Sequence, residues 1–117
     1  MQMREMTFAG QPPVDGYGPG FFRIAGEVIE GAAMILPEIR GRWQGYGETG
    51  PFLARAELID VLFVGTGAAI APLPPEFRRT LEAAGIGVEI MNSPTACRTY
   101  NVCLSEGRRV ALAVLPV

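Results

Sequence analysis

The sequence predicts an α/β fold: one three-layer domain over residues 1–117. Its mixed sheet has a parallel β-α-β-α-β C-terminal half and an N-terminal antiparallel hairpin or meander. Three observations predict it. First, residues 59–64 and 110–115 are apolar almost without interruption, as strands covered on both faces are in parallel sheets. Second, helical spacing of apolar residues alternates with a shorter strand pattern between those two runs. Third, the β-prone runs before residue 38 are separated by tight turn signals, as in an antiparallel meander. With 117 residues, 49% of them hydrophobic, the chain can bury a substantial core.

The elements follow in order. Gly10, Pro12, Pro13, Gly16, Gly18, Pro19 and Gly20 mark residues 1–20 as an irregular lead-in, with a short strand near Thr7 and Phe8. Strands are expected at 21–24, 27–29 and 33–36, turned by Ala25-Gly26 and Glu30-Gly31. Pro37, which has no N–H for a central ladder, ends the meander. A further short strand is expected at Arg42-Trp43, then a loop through Gly45, Gly47, Gly50 and Pro51, and one helical turn over 55–58. After strand 59–64 comes Gly65-Thr66-Gly67. Pro74 and Pro75 suit a helix entrance, where a missing N–H is harmless. Phe77, Leu81 and Ala84 form one helical face, and Arg78 and Glu82 sit four apart on another. Gly85 stops that helix.

Ile86, Val88 and Ile90 alternate along the next strand. A helix over about 94–106 follows, with Ser93 as its N-cap and Pro94 in the first position. Cys97, Tyr100 and Leu104, with Ala96 and Cys103 beside them, make the stripe that faces the sheet. Gly107 stops this helix, and 110–115 is the last strand.

Composition excludes several chemistries. The net charge is −2, whereas nucleic-acid binding needs a dense positive surface. The chain has no His, so Ser-His and Cys-His pairs and His-ligated metals are excluded. It has no Lys, which removes Schiff-base chemistry and a P-loop lysine. Cys97 and Cys103 are six apart on one helix, about 9 Å along its axis. That is too far for a disulfide, and two unbridged thiols suit a reducing cytoplasm. No run of ~18 apolar residues spans a membrane. Charged residues make up only 19%, which leaves apolar surface for a partner or for self-association.

Two segments carry candidate chemistry. Gly65-Thr66-Gly67 after a buried strand could hold an anion on its N–H groups, though it lacks the third glycine and prompt helix of a dinucleotide fingerprint. The alternative is a tight exit turn that needs glycine. Ser93, Thr95 and Arg98 at a helix start offer hydroxyls, N–H groups and a guanidinium for a carboxylate or phosphate. The alternative is structural: Ser93 caps, and Arg98 pairs with Glu89 or Glu106. Both segments follow strands expected to be neighbours, so they could face one cleft. Cys97 reads as a nucleophile from its first-turn position and as an inert core thiol from its apolar stripe. Trp43, Tyr46 and Phe52 read as core or as an exposed aromatic rim. No carboxylate pair suits hydrolysis, and no cofactor or metal site is expected.

Taken together, Gly65-Thr66-Gly67, Gly85-Ile86-Gly87-Val88-Glu89, the segment from Met91 to Asn101, and Glu106-Gly107-Arg108-Arg109-Val110 resemble the Mth938-domain family of uncharacterised function. Tyr17-Gly18 with Phe21 and the glycine-punctuated hairpin fits as well. The resemblance runs from about residue 14 to the C-terminus. Thr95, Ala96, Arg98, Thr99, Tyr100 and Asn101 are its most specific part, and Cys97 departs from the small or aliphatic residue expected there.

The resemblance implies a compact three-layer fold of distant Rossmann-like character. The family includes a mitochondrial respiratory complex I assembly factor and the adipogenesis-associated Mth938-domain protein. It therefore implies a non-enzymatic cytoplasmic protein-binding factor whose partners are membrane-complex assembly components. The alternative is a small-molecule or anion-binding protein, conceivably an enzyme, with a cleft between Gly65, Thr66 and Gly67 and the helix start from Ser93 to Arg98. The candidate binding residues are Gly65, Thr66, Gly67, Ser93, Thr95, Arg98 and Asn101.

Overall fold

The two continuous apolar runs form adjacent central strands of one sheet. The computed structural model describes residues 11–117; the strand expected near Thr7 and Phe8 lies outside them. In chain order the elements are β1 (Val14–Gly18), β2 (Phe21–Ile24), β3 (Glu27–Glu30), β4 (Ala33–Leu36), β5 (Ile39–Arg42), α1 (Gly50–Ala54), a 3-10 turn (Ala56–Leu58), β6 (Val61–Gly65), α2 (Pro75–Ala83), β7 (Gly87–Met91), α3 (Ser93–Ser105) and β8 (Val110–Val114).

The main sheet has the order β5-β4-β8-β6-β7, and β1-β2-β3 form a separate antiparallel sheet. β6 runs parallel to both β7 and β8, while β4 is antiparallel to β8 and β5. Side chains alternate across the pleat. Phe63, Leu112, Val114, Ala33 and Ile35 point to one face, where Phe22, Ile24, Ile29 and the Ala96, Cys97 and Tyr100 stripe of α3 cover them. Leu62, Val64, Ala111, Ala113, Met34 and Leu36 point to the other, under Phe52 of α1 and Phe77 and Leu81 of α2. The small sheet and α3 thus make one outer layer, and α1 and α2 the other. Both faces of β6 and β8 are buried, which accounts for their lack of polar alternation.

Several expectations need correction. Residues 14–18 belong to β1, paired with β2, rather than to an irregular lead-in. The glycines that suggested a loop are accommodated in the strand: the Phe21 ring lies where a side chain on Gly18 would go. The Glu30-Gly31 turn carries the chain out of the small sheet and into the large one, so the meander is divided between two sheets. Pro37 ends β4 but does not end the antiparallel run. Pro37-Glu38 is the turn of a β4-β5 hairpin, with Glu38 at φ 72°. Arg55 Nη2 lies 3.5 Å from Glu38 Oε1, an ion pair at that turn. The strand expected at Arg42-Trp43 is Ile39–Arg42, and Trp43 follows it into the core. Gly50 and Pro51 start α1 rather than continue a loop.

The β2-β3 turn falls at Ala25-Gly26 as the sequence predicts, but it is not the best sequence for its shape. Ala25 and Gly26 have φ of 52° and 79°, the conformation that favours Asn-Gly. Asp15 Oδ2 supports it by accepting from Gly26 N at 3.0 Å. We predict that Ala25→Asn stabilises the protein by ~0.5–1 kcal/mol, because Asn tolerates left-handed backbone better than Ala. Chemical denaturation measures this; an unchanged or lower midpoint contradicts it.

Candidate functional site at the ends of the parallel strands

β6, β7 and β8 end together, and the segments that leave them are bonded to one another. Leu115 N donates to Gly65 O at 2.9 Å, and Thr66 N to Met91 O at 3.0 Å. The centre of this knot is Ser93, which is fully buried. Its Oγ accepts from Gly67 N at 2.9 Å and donates to Leu115 O at 2.6 Å. Its own N donates to Gly67 O at 2.8 Å. One hydroxyl therefore joins the exits of β6 and β8 to the start of α3. A buried hydroxyl is tolerable because it is satisfied in both roles.

This geometry dictates the glycines. A Cβ on Gly65 would come within 2.7 Å of Ser93 Cα, Ser93 Oγ and Val114 Cγ1. Gly67 sits at φ 100°, which L side chains rarely adopt. Thr66 turns its hydroxyl into the next loop, donating to Ala69 O at 2.8 Å and accepting from Ala71 N at 3.0 Å. That loop is apolar and outward-facing: residues 61–75 include no charged side chain, and Ile70 is 62% exposed.

Ser93 is not the cap of α3. Asn92 is, its Oδ1 accepting from Thr95 N at 2.8 Å, and Ser93 is the first helical residue. The two candidate segments do meet, as their neighbouring strands require. They meet in direct hydrogen bonds instead of facing each other across a cleft, because the Gly65–Ser93 approach leaves no room for a ligand between them.

Asn101 is also taken up by the fold. Its Nδ2 donates to Val14 O at 2.9 Å and its Oδ1 accepts from Val14 N at 2.8 Å. At the preceding position, Tyr100 Oη donates to Pro12 O at 2.7 Å, and Gln11 Nε2 donates to Val110 O at 2.6 Å. Together these bonds tie residues 11–14 to α3 and to the start of β8. The sequence reading missed this role because it did not recognise β1. Burial pushes the Tyr100 hydroxyl well above its ordinary pKa, opposed by a hydrogen bond from Gln11. Cys97 is buried too, and burial pushes its thiol up to about 11 against the opposing Arg98 charge. At neutral pH it is a protonated core thiol and a poor nucleophile. Cys103 is likewise buried and free, with Sγ 3.3 Å from Arg108 Nη1.

Thr95 and Arg98 remain at the surface. Arg98 is exposed and donates to Thr95 Oγ1 at 3.2 Å, and among the described residues it pairs with neither Glu89 nor Glu106. Trp43 and Phe52 are core residues. Tyr46, half-buried, packs edge-on to Trp43 and Phe77, with centroids 5.6 and 5.1 Å apart. It borders an open groove of about 410 Å³ with Thr49, Pro74, Glu76, Phe77 and Thr80. Among the described residues no cluster of three acidic or thiol side chains has metal-site geometry.

These features define a small α/β protein of the Mth938-like kind, with a hydrogen-bonded knot at its strand ends. The family model described as a protein of unknown function (DUF498/DUF598) matches residues 14–115, and the chain belongs to that family. An uncharacterised protein from Rhodobacter capsulatus is 49% identical over 117 residues, covering 100% of this chain and 94% of its own length. The NADH dehydrogenase [ubiquinone] 1 alpha subcomplex assembly factor 3 of Danio rerio is 33% identical over 107 residues. That match takes in 86% of this chain but 62% of the assembly factor's length. Among solved structures, a Bartonella henselae protein described as an outer membrane protein superposes with a TM-score of 0.83 at 34% identity, covering 94% of this chain and 98% of that one. A Mth938-like domain from Bordetella pertussis superposes with a TM-score of 0.75 at 29% identity, covering 99% and 92%.

The geometry separates the candidates by stability. Gly65→Ala should cost about 1–3 kcal/mol or more through overpacking. Asn101→Ala should cost ~1–3 kcal/mol by leaving the Val14 N–H and C=O without partners. Arg98→Ala should shift stability by less than about 0.5 kcal/mol, as surface substitutions do. Thermal melts of the three variants check this; a large loss in Arg98→Ala, or none in Gly65→Ala, contradicts the assignment.

Proposed function

We propose that the protein is a non-enzymatic, protein-binding assembly factor for a respiratory NADH dehydrogenase, acting from the cytoplasmic side of the membrane that holds the complex. The observation that carries this reading is the match to the Danio rerio assembly factor through most of this chain's folded domain. The site geometry supports it. Gly65, Gly67, Ser93 and Asn101 bond within the fold, so they hold a scaffold in place. The side chains left outward at the same end are suited to contact: the Ile70 loop, rigidified by Thr66, and the Thr95–Arg98 pair. An exposed apolar loop tip and an exposed guanidinium are the residue types that contact surfaces use, where an aliphatic anchor buries and Arg bonds at the rim. No helix among the described residues is long and apolar enough to cross a membrane.

Deleting the gene in its native cell should lower the amount of assembled NADH dehydrogenase, measured as NADH:quinone oxidoreductase activity of isolated membranes. The wild-type chain should restore it, and Ile70→Asp, which keeps the fold, should restore it poorly. Unchanged activity and an unchanged native-gel profile of the complex in the deletion strain would refute the reading.

A further inference from the structure

We propose that the outer edge of β7 is a docking edge for one extended strand of a partner protein, with Arg78 occupying an acceptor on that edge until the strand arrives. The inference deepens the protein-binding reading above and rests on it. In a parallel ladder, alternate residues direct their backbone groups at the same neighbour. Gly87 N donates to Asp60 O at 2.9 Å, and Met91 O accepts from Thr66 N at 3.0 Å. The register runs from Val61 opposite Gly87 to Gly65 opposite Met91. Gly87, Glu89 and Met91 therefore bond β6. Val88 and Ile90 turn their N–H and C=O groups outward. β7 is the last strand of the sheet, and among the described residues no strand pairs with that edge. Such a row of outward backbone groups is a template for strand addition.

The edge is partly closed. Arg78 reaches from α2 and donates through Nη1 to Val88 O at 3.1 Å, while the same nitrogen lies 3.2 Å from Glu82 Oε2. The Ile90 N–H and C=O have no such cover in the described structure. Ile90 and Met91, both half-buried, give an incoming strand an apolar footing. The strand would bond Ile90 first and then take the Val88 carbonyl from Arg78, which keeps Glu82.

Charge selects the occupant. A second copy adding antiparallel with Val88 opposite Ile90 would place two exposed Glu89 side chains directly opposite each other, in the closer, non-hydrogen-bonded type of pair. A strand with a basic residue opposite Glu89 turns that repulsion into attraction. The partner is thus an extended segment of β-branched residues with a central Lys or Arg.

The test uses the isotope-labelled full chain, titrated by NMR into the millimolar range with the capped peptide Thr-Val-Lys-Val-Thr and with its Thr-Val-Glu-Val-Thr counterpart. The lysine peptide should give saturable shifts and slowed amide exchange at Val88 and Ile90, leaving the already bonded Gly87 and Glu89 amides unchanged. The glutamate peptide should bind about five-fold more weakly. Arg78→Ala, which frees the Val88 carbonyl, should tighten binding. Ile90→Pro removes the outward N–H together with the Ile90 side chain and should abolish it, with a thermal melt to confirm folding. Glu89→Lys should invert the preference between the two peptides whether or not Ile90→Pro folds. Absence of saturable change at Val88 and Ile90, or a preference that Glu89→Lys leaves unaltered, overturns the proposal. Because the titration uses purified protein and defined peptides, its failure would leave the deletion result standing, and the reverse.

Discussion

The approach of Gly65 to Ser93 is the constraint on which the rest of the structure depends. β6 lies at the heart of the sheet, and α3 must begin directly against its end to cover one face. A Cβ at residue 65 would stand 2.7 Å from atoms of Ser93 and Val114, so the contact is possible only for glycine. Once it forms, the Ser93 hydroxyl can bond Gly67 and Leu115 at the same time. Three chain segments far apart in sequence are thereby fixed at one point. The inner stripe of α3 then falls on Phe63, Leu112 and Val114, and the small sheet closes the remainder of that face.

α3 also secures the small sheet. Its inner stripe is apolar, but Tyr100 and Asn101 reach past the stripe to the backbone of Pro12 and Val14. Asn101 meets the N–H and C=O of one residue together, as a neighbouring strand would. β1 thus receives from a helix side chain some of the satisfaction that a strand edge needs. Polar groups that look available for recognition in the sequence are used here for attachment.

How much was legible follows from where the signals lie. The parallel half was readable because its strands are covered on both faces and its helices carry regular stripes, so periodicity and apolar runs agree. The positions of Gly85 and Gly107 after α2 and α3 followed from helix-ending chemistry, and both adopt positive φ. β1 was not readable: Asp15, Gly16 and Gly18 interrupt the β propensity of Val14 and Tyr17, and the strand depends on Phe21, Asn101 and the β2 ladder. The roles of Ser93 and Asn101 were hidden for the same reason. Their partners are 22 to 87 positions away in the chain. The cap was missed by one residue, since Asn92 and Ser93 are equally suitable types and only the backbone angle decides between them. Arg98 could not be assigned from sequence because two acids lay within plausible reach, and in the fold it bonds Thr95 instead.

The fold therefore divides the Met91 to Asn101 segment into an attached part and an outward part, and the functional reading depends on that division. Native-state hydrogen exchange tests it most directly. The amides of Gly67, Ser93 and Val14 lie in loops or at element ends, where exchange by local opening is the ordinary expectation. If they are bonded into the knot and strap as described, they should exchange only through global unfolding, with the same free energy as the β6 and β8 amides. Exchange of all three through low-energy local openings would contradict the account, and would return Ser93 and Asn101 to the set of side chains free to meet a ligand.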